Sequence, residues 1–255
     1  MHFFVINKKQ IKYFVLILLA ILLLTISIDG VTSAQVFFGY PVKRVPIYYV
    51  STPEKQVAIS FDAAWGADKT ERIMETCKEY GANATFFLVG FWVDKYNDMV
   101  SKIDQNGFEI GTHSKTHPDM TKLSKESIRE ELVGSVELIK NVTHKEVKYF
   151  RPPYGAYNNE LLDIAEGIGL TTIQWNIDSL DWKGLSASTI AERVLGQLKN
   201  GSIILMHNNA DHVVEALIMV LTRLNQLNYK VTSVGELVYQ SNYSIDKNGM
   251  QISNV

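Results

Sequence analysis

Cysteine is nearly missing from this chain: Cys77 is the only one in 255 residues. No intrachain disulfide can form, and a zinc site built on thiolates is excluded. Cys77 lies in a stretch of helical periodicity and reads as a small apolar core residue. Proline is also scarce, and three of the six (Pro41, Pro46, Pro53) fall in residues 35–54, where they block helix and favour an extended tether. An excess of either charge is lacking too. With 25 basic and 27 acidic side chains and a formal charge of -2, nothing draws the chain toward nucleic acid. Internal repeats and low-complexity tracts are absent.

A long hydrophobic run occurs once, at residues 13–28, just after Lys8, Lys9 and Lys12. As a helix it would cover about 24 Å at 1.5 Å per residue, slightly short of a ~30 Å hydrocarbon core, so flanking residues or lysine snorkelling would complete a span. Two readings stand side by side. Residues around 11–28 are a membrane anchor, or the segment is a signal peptide cut near residue 34, where Thr32-Ser33-Ala34 offers small residues. In both, the lysines stay cytoplasmic and everything after residue 34 is extracytoplasmic.

Beyond the tether the sequence has enough apolar residues for one sizeable core. The expected organisation is an anchor or signal segment at 1–34, the tether at 35–54, one domain at 55–240, and a polar tail at 241–255. Strand-like runs at 57–61, 84–89, 108–111, 148–150, 171–176, 202–206 and 229–232 alternate with helix-like stretches, among them 68–80, 124–141, 158–168, 188–199 and 211–227. On the fourth-from-last of these, Ile128, Leu132, Val136 and Ile139 share one face. Repeated strand–helix units predict an α/β fold, a distorted (β/α)7-type barrel.

In such barrels the chemistry sits in loops at the carboxyl ends of the strands. Those ends are polar here: Ser60-Phe61-Asp62-Ala63-Ala64-Trp65-Gly66, His113-Ser114-Lys115-Thr116-His117, Arg151-Pro152-Pro153-Tyr154-Gly155, Asp178 to Trp182, and Leu205-Met206-His207. Taken singly, each has a structural explanation. Asp62 could cap a turn, His113 and His117 could be a chance pair, Arg151 could brace a rigid turn, Asp181-Trp182 could be a capped loop, and His207 could be a satisfied interior imidazole. Five such elements at successive strand ends make coincidence a poor explanation.

These residues resemble the five motifs of the polysaccharide deacetylases of the NodB-homology type, carbohydrate esterase family 4, and the resemblance covers residues 55–240. The Asp-Ala-Ala-Trp-Gly first motif is similar to that of sporulation-associated deacetylases of spore-forming bacteria. The resemblance implies hydrolytic removal of N-acetyl groups from amino sugars of a cell-wall polysaccharide. It implies Asp62 as general base, Arg151 as its orienting partner, the Tyr154 N–H as an oxyanion donor, His207 as acid held by Asp181, and Trp182 and Leu205 as pocket walls. His113 and His117 would ligate a divalent metal, zinc or cobalt. The family usually has a second aspartate as third ligand where this sequence has Ala63, so the metal is expected to bind weakly. An inactive, glycan-binding or envelope-assembly protein is the alternative that Ala63 motivates.

Overall fold

The run Gln56–Ala63 is buried at every position after its first, as expected of a strand covered on both faces. The structure is a computed structural model that describes residues 7–28 and 42–254, with side chains between 23 and 28 outside the description. The expected cleavage point near residue 34 and the first part of the tether lie outside the described residues. The chain divides into two units, residues 1–43 and 44–255. In the first, a helix, α1 (Lys8–Ile28), covers the hydrophobic run. Among the described residues no helix is long and apolar enough to cross a membrane; for α1 those side chains extend only to Leu22.

In the second unit the strands are β1 (Tyr49–Val50), β2 (Gln56–Ala63), β3 (Thr85–Leu88), β4 (Glu109–Thr112), β5 (Tyr149–Phe150), β6 (Thr171–Thr172), β7 (Ile177–Asp178), β8 (Ile203–His207), β9 (Lys230–Thr232), β10 (Tyr243–Ile245) and β11 (Met250–Ser253). The helices are α2 (Thr70–Glu79), α3 (Gly90–Lys95), α4 (Asn97–Gln105), α5 (Lys125–Thr143), α6 (Asn159–Gly167), α7 (Ala187–Gly196), α8 (Val213–Gln226) and α9 (Val234–Leu237). One parallel sheet runs β6-β5-β4-β3-β2-β8-β7, with β9 also paired to β2. Its apolar strands and the inner faces of the helices form the main core, which includes Phe61, Phe86, Trp92, Leu132 and Met206. The α5 helix follows most of the expected pattern: Ser124 caps it by accepting from Ser127 N, and Ile128, Leu132 and Ile139 are buried, but Ser135 and Thr143 join them while Val136 is only partly buried against the same core.

Two sequence expectations are revised. The strand expected at 171–176 stops at Thr172, and β6 and β7 do not pair among the described residues, so the expected distorted barrel takes the form of an open, curled half-barrel. The backbone there is engaged elsewhere. Gln174 N donates to Ile47 O, and Gln174 O accepts from Arg151 Nη2. The residues read as polar tail and late tether contain strands: β10 and β11 form an antiparallel hairpin, and β11 pairs in parallel with β1. The turn is encoded locally, since Asp246 Oδ1 accepts from Asn248 N and Met250 N while Gly249 takes φ +80°.

Candidate active site

Strand register sets the centre of the site. Asp62 and His207 are direct partners across β2 and β8, which puts their backbones roughly 4.8 Å apart at the carboxyl end of the sheet. Asp62 Oδ1 accepts from Arg151 Nη1 at 2.8 Å, and Oδ2 lies 3.5 Å from His113 Nε2. His113, just past β4, donates from Nδ1 to the carbonyl of Arg151 at 2.7 Å, which fixes the tautomer so that Nε2 faces Asp62. Arg151 is fully buried, with its guanidinium carbon 4.2 Å from the centre of the Phe87 ring and Nη2 bonded to Gln174 O.

The second half of the site is an imidazole–carboxylate pair. Asp181 is buried, accepting from His207 Nδ1 at 2.7 Å through one oxygen and from His207 N at 2.8 Å through the other. The ring is therefore held by a carboxylate that is itself held by the same residue's backbone. His117 completes the cluster: its ring lies edge-on to His113 at 4.9 Å, to Tyr154 at 4.8 Å and to Trp65 at 5.4 Å. Trp65, Tyr154 and Trp182 are exposed, whereas Leu205 is buried in β8. Tyr154 sits in the left-handed region at φ 61°, and Gln174 Nε2 pins the same turn by donating to Gly155 O. Thus Asp62, His113, His117, Arg151, Asp181 and His207 gather at one end of the sheet.

Charge states follow from these contacts. Burial works to raise the Asp62 carboxyl, but the positive groups at His113, Arg151 and His207 outweigh it and hold it below the ordinary carboxylate value. Burial lowers His113, so the main counter-charge for Asp62 is Arg151, which is bonded to it, with His207 on the neighbouring strand. Burial and the neighbouring His113 bring His117 down to about 4. For His207 burial acts downward, but the bond and charge of Asp181, with Asp62 and Asp178, raise it. The contacts thus favour the charged form of His207 and the ionised form of Asp62, the division of acid and base that hydrolytic sites use.

The residues present do not fit an ordinary three-ligand metal centre. Ala63 is wholly buried in the apolar core and supplies no donor. The carboxylate beside His113, Asp62, is already bonded to Arg151, and no group of three or more potential ligands is assembled among the described residues. The imidazoles of His113 and His117 remain as two neutral donors.

Sequence reading missed Gln174, whose carbonyl holds Arg151 and whose amide holds the Tyr154 turn. Its signal was a glutamine inside an apolar strand-like run. Asn208 also went unread: its Nδ2 donates to Gly66 O and Thr70 Oγ1, anchoring the loop that carries Trp65 to β8.

The family model described as polysaccharide deacetylase matches residues 49–173. The chain is 30% identical over 205 residues to a peptidoglycan-N-acetylglucosamine deacetylase of Bacillus cereus, covering 78% of this chain and 93% of the relative. It is 35% identical over 193 residues to YlxY of Bacillus subtilis, covering 76% of this chain but only 60% of that protein. Several other peptidoglycan deacetylases are likewise spanned for less than two thirds of their length. Among solved structures, a Bacillus anthracis protein described as a CE4 family pseudoenzyme superposes with a TM-score of 0.74 at 35% identity, covering 77% of this chain and 69% of that one. A mutant of it, described as having restored enzymatic activity, superposes equally well at 36% identity over 77% of this chain and 72% of that one.

Proposed function

The chain belongs to the polysaccharide deacetylase family, and from that premise we propose that it hydrolyses the N-acetyl groups of amino sugars in peptidoglycan. The observation that carries this reading is the pairing of Asp62, held ionised by Arg151, with His207, held charged by Asp181, on neighbouring strands. Asp62 takes a proton from water as the oxygen attacks the acetyl carbonyl carbon. The Tyr154 N–H stabilises the resulting oxyanion. His207 gives its proton to the nitrogen as the C–N bond breaks, leaving acetate and a free amine. Leu205 and Trp182 wall the acetyl methyl, and the exposed aromatic rings suit the apolar faces of pyranose rings. His113 and His117 would hold a divalent cation, zinc or cobalt, only weakly.

A second reading has a specific observation behind it: Ala63 removes a ligand, and a pseudoenzyme is among the similar structures. In that case the protein binds glycan without turnover. Acetate release from purified peptidoglycan and chitin oligomers, with and without added zinc or cobalt, separates the two. Release supports the hydrolase, and none under any metal defeats it.

The resemblance of the first motif to sporulation deacetylases supports a role in a spore-associated wall, tested by comparing wall acetylation in sporulating cells with and without the gene. The location proposed is extracytoplasmic, with α1 as anchor: Ile11, Phe14, Ile17 and Leu18 are all exposed and would find lipid a better solvent than water. Its 21 residues would extend about 31 Å as a helix. Recovery in the membrane fraction with Met1 intact is expected, and a mature N-terminus near Gln35 would replace the anchor with a cleaved signal.

A further inference from the structure

The loop between His113 and His117 makes its sharpest turns at Ser114 and His117, both in the left-handed region at φ 70° and 61°. A serine and a histidine persist there only when their surroundings over-determine the conformation. Part of that comes from within, as His117 N donates to Ser114 Oγ. The rest comes from two flanking elements. From α3, Gly90 N donates to Ser114 O and Phe91 N to Lys115 O, and a Cβ at Gly90 would come within 2.9 Å of that second carbonyl. From α5, the Glu131 carboxylate receives three bonds: Lys115 N at 2.9 Å and Thr116 N at 2.8 Å on Oε2, and Thr116 Oγ1 at 2.5 Å on Oε1.

We propose that Glu131, which lies outside all five motifs, is the positioning residue for His117, clamping the loop so that this imidazole faces His113 and Asp62. The carbonyls of Ser114 and Lys115 are taken by α3 and the amide of His117 by Ser114 Oγ, and the two consecutive N–H groups leading into His117, those of Lys115 and Thr116, have Glu131 as their acceptor. Charge-assisted bonds of this kind are the stronger class, and small displacements of a reacting group cost rate steeply. The chemistry also forecasts which substitution is tolerated. Glutamine keeps an acceptor oxygen for both amides, and its NH2 can donate to Thr116 Oγ1, which then accepts; alanine keeps nothing.

The kinetic arm of the test rests on the deacetylase reading, and the structural arm does not. Amide hydrogen exchange of Lys115 and Thr116 is measured in the full chain, in Glu131→Gln and in Glu131→Ala, alongside acetate release. In the alanine variant protection at these two amides falls about tenfold or more, with β4 and the rest of α5 unaffected; kcat falls about tenfold or more at nearly constant KM. The glutamine variant stays near wild type in both, a rescue that mere loss of helix stability would not produce. If alanine unsettles the whole fold, Thr116→Val removes the hydroxyl bond alone and should loosen the same two amides. Unchanged protection in the alanine variant, or in Thr116→Val where alanine does not fold, overturns the clamp. Lost protection with unchanged kcat overturns its role in positioning His117. Should wild type release no acetate, the deacetylase reading fails and exchange alone decides for or against the clamp.

Discussion

Replacing Asp62 by asparagine is the most informative single perturbation, because the structure separates its effect on chemistry from its effect on folding. Asparagine is nearly isosteric. Its carbonyl can still accept from Arg151 Nη1, and its amide can donate to the Nε2 of a neutral His113, so the hydrogen-bond geometry survives. What is lost is the charge opposite a guanidinium with no exposure to water. Breaking a buried pair by removing one partner costs about 3–5 kcal/mol, and with the hydrogen bonds kept the lower end is expected. For a unit of this size 1 kcal/mol moves Tm by roughly 2–4 °C, so the variant should melt about 6–12 °C lower. Removing both charges in Asp62→Asn/Arg151→Met should recover most of that loss, giving a coupling energy of about 2–3 kcal/mol in the double-mutant cycle. The pH dependence has a definite sign. Because the folded-state pKa of Asp62 is depressed, its contribution is present above the unfolded carboxylate value near 4 and is lost as pH falls through the folded value. The gap between wild type and Asp62→Asn should therefore close in acid. Acetate release should vanish in the single variant at every pH. Equal melting of wild type and Asp62→Asn near neutrality, or a coupling energy indistinguishable from zero, would refute the ion pair on which the base assignment depends.

Other outcomes follow from the same geometry. Ala63→Asp puts a carboxylate into a wholly buried position, so in chelator it should destabilise by about 3–5 kcal/mol, while zinc at a hundredfold excess over Kd should return about 2.7 kcal/mol; a zinc response no greater than wild type's would mean that position 63 does not reach the imidazoles. Wild-type protein dialysed against metal-free buffer should retain less than one zinc or cobalt per chain by elemental analysis, and stoichiometric retention would reveal a ligand beyond His113 and His117. The acid must carry its proton, so activity should decline as pH rises through the raised pKa of His207, and Asp181→Asn should shift that alkaline limb to lower pH; a limb unmoved by the substitution would remove His207 from the acid role. Gln174→Ala frees the turn at Gly155 and should lower kcat while leaving the Asp62–Arg151 pair and most of the stability intact, measured by kinetics and thermal melting together.

The sequence by itself determined a great deal here, because its information is local. Alternation of apolar strands with amphipathic helices requires a parallel sheet with helices on its faces, and polar residues at the strand ends must then collect at one edge of that sheet. Asp62, His113, Arg151 and His207 were legible for that reason. The hairpin at Tyr243–Ser253 was legible in principle through Asp246 and Asn248-Gly249, although its polar surroundings hid it. Tertiary structure alone decided the rest, since those features depend on groups that meet only after folding. Nothing near Thr172 in the chain announces that the backbone beyond it will serve Arg151 and Ile47 instead of a ladder, leaving the ring open. Nor does a glutamate on the surface of a helix declare that its carboxylate will take up two amides of a loop fifteen and sixteen residues earlier. Hydrophobic periodicity fixes which face of an element is buried, but which polar groups then find one another is settled by the packing of elements distant in sequence.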